Sequence, residues 1–284
     1  MERINISGLK DKVVVVTGGA GGMGRAMALA LLQQGARVVV ADNSSTALSA
    51  MAEEIQALGA MAQVRLKDID LALHSSGEAL AHFTRSEFGQ VFALVNNAGV
   101  GGGTVKQDFL KNPYRFWEVT DEQWGRFFSI NTDPVFRLMR AFAADMVAAG
   151  DGRVVNVTTS LDSMLAAGMA GYGPSKAAAE SLSAIAANEL AGTGVTVNVL
   201  VPGGIVDTGM VPEGFVVKSS MLKPECMVKP LLWLLSDAGK ETTGQRFRAH
   251  LWNDELPADQ NLLEAGAPIA WTSLGGQIRK VQMK

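Results

Sequence analysis

Tyr172 and Lys176 stand four residues apart in Tyr172-Gly-Pro-Ser-Lys176, at the head of an Ala-rich stretch that reads as a helix to about Leu190. Side chains four apart on a helix share a face. An ammonium beside a phenol favours the phenolate and lowers its reference pKa of about 10. Such a pair can take the proton of an alcohol or return it to a carbonyl oxygen. The chain has two tyrosines, and a Tyr with Lys four residues on arises by chance in roughly one chain in ten. Pro174 also suits a first helical position, and a helix beginning there would leave Tyr172 ahead of it and weaken the shared face.

A second cluster lies near the start of the chain. Thr17-Gly-Gly-Ala-Gly-Gly-Met-Gly24 follows the apolar run Val13-Val-Val-Val16 and opens a helical pattern over residues 25–34. Glycines between a strand and a helix allow a tight turn and close approach to a pyrophosphate, and the helix N-terminus offers unpaired N–H groups to it. Two registers fit, Gly19-x-Gly21-x-x-Gly24 and Gly18-x-x-x-Gly22-x-Gly24. Asp42 ends the next strand pattern, where a carboxylate can accept hydrogen bonds from ribose hydroxyls. The alternatives are a loop that binds nothing and an Asp42 that caps the following helix, with Asn43 and Ser44 beside it.

The elements that must carry these residues alternate. Strand patterns fall at 12–17, 37–42, 63–68, 91–96, 153–158, 195–201 and, more weakly, 245–251. Val13–Val16 is apolar at every position, as in a parallel strand covered on both faces. Helical spacing joins Leu48, Met51, Ile55 and Leu58, with Gly59 as the stop, and Thr120-Asp-Glu-Gln123 reads as a capping box. Strand–helix repetition predicts an α/β fold, a doubly wound parallel sheet in a single domain.

Composition narrows the function. The 284 residues carry 25 basic and 28 acidic side chains, net −3, with 48% hydrophobic and 19% charged residues. That balance describes a globular chain with no basic excess for nucleic acid. The one cysteine, Cys226, excludes an internal disulfide framework and fits a reducing compartment. The first eight residues lack the apolar segment of an export signal, and the charge-free stretch 191–206 is too short and too broken by Gly and Pro to span a bilayer. A cytoplasmic protein with no membrane partner is expected. His74, His82 and His250 lack ligand spacing, so no metal site is expected.

Taken together, these motifs resemble the short-chain dehydrogenase/reductase family over about residues 8–250. The family's glycine spacing selects Gly18-x-x-x-Gly22-x-Gly24. Asn96-Asn-Ala-Gly99 matches its NNAG segment, Tyr172-x-x-x-Lys176 its catalytic pair, Asn131 its helix asparagine and Pro202-Gly203 its turn beside the nicotinamide. The resemblance implies a Rossmann fold of about seven strands and an oxidoreductase that moves a hydride between a nicotinamide cofactor and a small secondary alcohol or ketone. Tyr172 would be the acid/base, Lys176 its partner and a ligand of the nicotinamide ribose, and Asn131 the holder of a water in a proton relay. The cofactor would lie on Gly18, Gly21, Gly22, Met23 and Gly24, on Asp42, Asp68 and Ile69 at the adenosine end, and on Asn97, Ala98 and Gly99. At the nicotinamide end it would meet Tyr172, Lys176, Pro202, Gly203, Ile205 and Thr208. Asp42 would repel the 2′-phosphate of NADP, so NAD is the expected cofactor. Homodimers or homotetramers are the family's habit.

Three departures stand out. The family's orienting Ser lies thirteen residues before the Tyr; here that position is Thr159, with Ser160 next to it as the other candidate. In an extended strand, adjacent side chains point to opposite faces, so one of the two hydroxyls should face the site. The connection between Gly99 and Thr120 is long, and its segment 106–116 either shapes the substrate entrance or packs on its own aromatics. The usual Asp-Gly-Gly ending is missing, which suggests a domain over 1–252 and a C-terminal extension over 253–284. Met164, Leu165, Met210 and Met221 are candidates for an apolar pocket wall, though such residues are core by default. Rival readings are a non-catalytic dinucleotide sensor on the same fold and a methyltransferase. Neither calls for the Tyr–Lys pair, and the NNAG segment also counts against the second.

Overall fold

The structure, a computed structural model, describes residues 6–272 except Glu213 and Phe215. The last part of the expected extension, 273–284, and residues 1–5 lie outside the described residues. The chain runs β1 (Val13–Thr17), α1 (Gly22–Gln33), β2 (Arg37–Asp42), α2 (Ser45–Ala57), β3 (Val64–Asp68), α3 (Ser76–Phe88) and β4 (Ala93–Asn96). It continues through α4 (Asp121–Asn131), α5 (Asp133–Ala149), β5 (Gly152–Val157), α6 (Leu161–Leu165), α7 (Tyr172–Glu189) and β6 (Val195–Val201). The last elements are α8 (Val228–Leu235), β7 (Gln245–Arg248), α9 (Ala258–Glu264) and β8 (Gly266–Pro268).

The sheet order is β3-β2-β1-β4-β5-β6-β7-β8, and every pairing but the last is parallel. This is the doubly wound α/β fold the sequence predicts, extended by an eighth, antiparallel strand. The alternation of side chains along β1 feeds two cores. Val14 and Val16 join α1, α2 and α8 on one face, while Val13 and Val15 join α3, α5 and α7 on the other. A strand buried on both sides has no use for a polar position, which is why the run is unbroken valine.

Helix ends are specified locally. At the start of α4 the Thr120 hydroxyl accepts from Gln123 N (3.2 Å) and the Gln123 side chain accepts from Thr120 N (3.0 Å), the expected capping box. In α7, Tyr172 is already helical, so it and Lys176 share a face despite Pro174. No helix among the described residues is long and apolar enough to cross a membrane.

Residues after β7 are built into the sheet. Asn261, fully buried, donates to Asn253 O (2.8 Å) and accepts from Asn253 N (2.8 Å), folding the segment back so that β8 pairs with β7. Phe247 of β7 packs against Trp233 of α8 and Trp252. Removing the α4 cap tests how locally this frame is held. Thr120→Ala should cost about 1 kcal/mol and lower Tm by about 2 °C in a calorimetric scan, without altering the fold's cooperativity.

Candidate active site

The order of the sheet reverses between β1 and β4, and their carboxyl ends open a crevice there. The Thr17 hydroxyl closes its floor. It accepts from Asn97 N (3.0 Å) and Ala98 N (3.1 Å) and approaches Val95 O (3.4 Å). Asn97 Nδ2 donates to the carbonyls of Thr17 and Gly18, both at 3.0 Å.

The glycine loop then fits in one register. Gly18 and Gly22 have φ of +58° and +48°, and a Cβ at either would lie 2.9 Å from a neighbour: Ala98 Cα and the Thr208 methyl. A Cβ at Gly24 would strike the Gly18 carbonyl, whereas Gly21 faces open space. All three glycines of the wider register, Gly18, Gly22 and Gly24, are thus required; Gly19 is too, since its Cβ would lie 2.8 Å from Val16 O, but Gly21, which the other register needs, is not. The N-terminus of α1 has no side-chain cap and no acid in its first turn, so its donors are left for an anion.

Asp42 is not the cap of α2; Ser44 is, through Ala47 N at 3.2 Å. The Asp42 carboxylate instead accepts from Ala20 N in the glycine loop and from Ser44 N, both at 3.1 Å. It lies opposite Asp68 in the strand register, and Ile69 N donates to Asp42 O (2.9 Å), so Asp42, Asp68 and Ile69 gather at one end of the crevice. Arg25, the nearest basic residue after the loop in sequence, is paired with Glu54 at 2.5 Å.

At the other end of the crevice lies a cavity of about 220 Å³. Met23, Asn97, Gly99, Thr159, Ser160, Tyr172, Lys176, Pro202, Gly203, Ile205 and Thr208 all line it. Asn131 sits just behind. Its Oδ1 accepts from Val100 N (2.8 Å), and its Nδ2 donates to Val100 O (3.1 Å) and Ser175 Oγ (3.0 Å). A Cβ at Gly99 would come 3.0 Å from Asn131 Oδ1 and 3.1 Å from Lys176 Nζ, so glycine lets these two groups meet the crevice.

β5 ends at Val157, so strand alternation does not govern Thr159 and Ser160, and both border the cavity. Their roles differ nonetheless. The Thr159 hydroxyl faces the Tyr172 phenol. The Ser160 hydroxyl caps α6 through Ser163 N (3.1 Å) and pairs with Ser163 Oγ (2.8 Å).

The electrostatics differ from the expectation that Lys176 lowers the Tyr172 pKa. Burial pushes the phenol up, and the Thr159 hydroxyl pulls it back in part. Lys176 Nζ donates to Val157 O at 3.0 Å, and burial brings its own pKa down to about 8. Both groups are out of water, so desolvation favours the neutral form of each.

Beyond Met210 and the 106–116 segment, sequence reasoning did not find further parts of the wall, among them Gly101, Gly102, Met169, Val206 and Val211. Of the four apolar candidates, Met210 lines the cavity, whereas Met164, buried in α6, Leu165, 80% exposed, and Met221 do not. In the segment 106–116, Phe109 and Leu110 line the cavity, while Tyr114 is buried not on the loop's own aromatics but against the approach to α7, donating to Ala170 O at 3.1 Å. Among the described residues, no group of three or more His, Cys, Asp or Glu could hold a metal ion. Burial, with Glu225 beside it, pushes the Cys226 thiol up to about 11, away from thiolate chemistry.

The crevice fits a nicotinamide dinucleotide on its own geometry. The cradle admits no Cβ at Gly18, Gly22 or Gly24, the α1 N-terminus is uncapped, and Asn97 Oδ1 is buried without a partner among the described residues. Comparison with known proteins agrees. Residues 12–215 match the family model described as short chain dehydrogenase. The 2,5-dichloro-2,5-cyclohexadiene-1,4-diol dehydrogenase LinX of Sphingobium indicum is 30% identical over 83% of this chain and 93% of its own. The 3-ketoacyl-(acyl-carrier-protein) reductase of Brucella melitensis, solved with NADH, superposes with a TM-score of 0.72 at 25% identity, covering 83% of this chain and 95% of its own. A metagenomic short-chain oxidoreductase solved with NADP gives 0.70 at 27% identity, covering 84% and 96%. A glycine cradle, a switch-point crevice and a Tyr–Lys pair at its mouth thus occur in a chain that belongs to the short-chain dehydrogenase/reductase family of oxidoreductases.

Proposed function

We propose that this chain is an NAD-dependent dehydrogenase or carbonyl reductase that interconverts a compact, uncharged secondary alcohol and its ketone. The observation that carries the reading is the meeting of the Tyr172 phenol, the Thr159 hydroxyl and the Lys176 ammonium in one cavity. Bound nicotinamide dinucleotide supplies the hydride acceptor or donor. Tyr172 takes the proton from the substrate hydroxyl on oxidation and returns it on reduction. Thr159 orients the substrate oxygen by hydrogen bonding. Lys176, anchored at Val157 O, would hold a ribose hydroxyl of the cofactor. Asn131 keeps Val100 and the start of α7 in place behind the pair, and a water beside it would pass the proton outward.

The substrate's chemistry follows from the wall. Among the described residues, no carboxylate lines the cavity, and the one cation that does, Lys176, is engaged at Val157 O. Phe109, Leu110, Met169, Met210 and Val211 supply apolar surface. A charged group placed in the cavity would find no ionic partner among the described lining residues. LinX, by its name, acts on a ring alcohol. Exposed Trp124, Phe136 and Ile185 on α4, α5 and α7 are consistent with a homo-oligomer, and the single cysteine with a reducing compartment such as the cytoplasm.

Asp42 supports NAD. Its carboxylate is tied to the glycine loop, and the residues after it, Asn43 and Ser44, bring no positive charge. A 2′-phosphate there would meet like charge. Wild-type kcat/KM should favour NAD over NADP by about 100-fold, and Asp42→Ala should narrow the ratio at least tenfold. A wild-type preference for NADP would overturn the assignment.

Tyr172→Phe should reduce turnover by about 10² to 10⁴-fold while NADH still binds with its usual fluorescence change. Because burial raises the phenol pKa, alcohol oxidation, which needs the deprotonated phenol, should speed up as pH rises through that pKa. Ketone reduction, which needs the protonated form, should slow over the same range. Thr159→Val removes the hydrogen bond that lowers the pKa, so it should shift this limb to higher pH and reduce kcat by about 10² to 10³-fold. Ser160→Ala should cost little kcat, and the reverse pattern would transfer the orienting role to Ser160.

A further inference from the structure

Behind Thr159 lies an ion pair that the proposed chemistry does not use. Glu180 follows Tyr172 and Lys176 at the same four-residue interval along α7, so the three share a helix face. Glu180 is 0% exposed, and its partner Arg246, from β7, is 6% exposed. Arg246 Nε donates to Glu180 Oε1 at 2.8 Å, and Nη2 donates to Thr159 O at 2.7 Å. Glu180 Oε2 accepts from the Thr158 hydroxyl at 2.8 Å. The pair therefore grips the two consecutive residues that leave β5, just where the strand's own ladder stops.

A buried ion pair is a poor way to gain stability, because removing two charges from water offsets most of their attraction. What this one provides is direction. The planar guanidinium spans Glu180 and the Thr159 carbonyl at once, and Glu180 fixes Thr158 on the other side. With the Thr159 carbonyl and the preceding side chain both held, rotation of that segment is blocked and the Thr159 hydroxyl stays aimed at Tyr172. The C-terminal segment completes the enclosure. Ala270, at φ +60°, donates its N–H to Glu180 Oε1 at 3.3 Å, and Ile269 N donates to Gly244 O at 3.0 Å.

We propose that Arg246 and Glu180 are positioning residues, which set the Thr159 hydroxyl through the backbone and couple the segment after β7 to the active site. The inference rests on the reading that Thr159 takes part in the reaction. The test compares wild type with Thr159→Val, with the paired variant Arg246→Met/Glu180→Gln, and with all three substitutions together. The paired variant removes both charges at once, so no lone charge is left buried. Arg246→Lys keeps Glu180 paired while losing the reach to Thr159, and it carries the test if the paired variant does not fold. Measurements are kcat and KM for a secondary alcohol such as cyclohexanol, the pH profile of kcat, NADH binding by fluorescence, and Tm.

The paired variant should bind NADH within about threefold of wild type and lose about 10- to 100-fold in kcat. Its pH limb should move upward, as in Thr159→Val. Adding it to Thr159→Val should cost nothing further, because both act through the same hydroxyl. A folded paired variant or Arg246→Lys variant with wild-type kcat and pH profile would overturn the positioning role while leaving the catalytic reading intact. So would losses that multiply with those of Thr159→Val. An unchanged pH profile in Thr159→Val would overturn the reading of Thr159 and this inference with it.

Discussion

Everything at the active site hangs on the hydrogen bonds that join the ends of β1 and β4. Two parallel strands whose following helices pack on opposite faces must separate, and separation exposes backbone groups that need partners. Thr17 and Asn97 supply them. The Thr17 hydroxyl takes two successive N–H groups from the β4 end, and Asn97 takes two successive carbonyls from the β1 end. The crevice is thus held open at a fixed width by side chains that are themselves its floor. Asn97 Oδ1 is buried and has no partner among the described residues, and a ligand donor is the natural partner for such an atom.

The same economy of water governs the chemistry. Tyr172 and Lys176 are buried in a wall of valine, glycine and methionine, and each is pushed toward its neutral form. A proton acceptor and its partner held in this state respond strongly to any charge or hydrogen bond placed near them, because little solvent screens the interaction. Small geometric errors at Thr159 therefore matter, and the residues that fix its backbone matter with it.

Much of this was legible in the chain. Unbroken valine in β1 and β2, glycines with strand before and helix after, and a capping box ahead of α4 are local signals, and the fold follows them closely. Tyr172, Lys176 and Asp42 stand out by type and spacing, whereas Asn131 is legible only through the family resemblance. Other parts had no local signal. Glu180 lies in an Ala-rich helix, where an acid reads as a solvent-facing residue. Arg246 looks like the outward position of a terminal strand. Each becomes intelligible through the other, 66 residues away. β8 is a Gly-Ala-Pro tripeptide, which has no strand propensity at all, and its pairing depends on the buried Asn261 that folds the chain back. The thirteen-residue spacing to Tyr172 favours Thr159 with Ser160 as the other candidate, but strand alternation gives no further help, because β5 stops before both and strand ends are set by tertiary contacts.

The strand added by the C-terminal segment also changes what the sheet shows to its surroundings. A parallel sheet ending at β7 would leave a row of unsatisfied N–H and C=O groups next to Phe247, an inviting template for another extended chain. β8 occupies that row, is three residues long and ends in Pro268, which has no N–H to offer. At the opposite margin, β3 carries Arg65 and Lys67, whose cations lie over Phe88 and Phe83. Both borders of the sheet are thereby blunted against strand-by-strand polymerisation, one by brevity and proline, the other by charge.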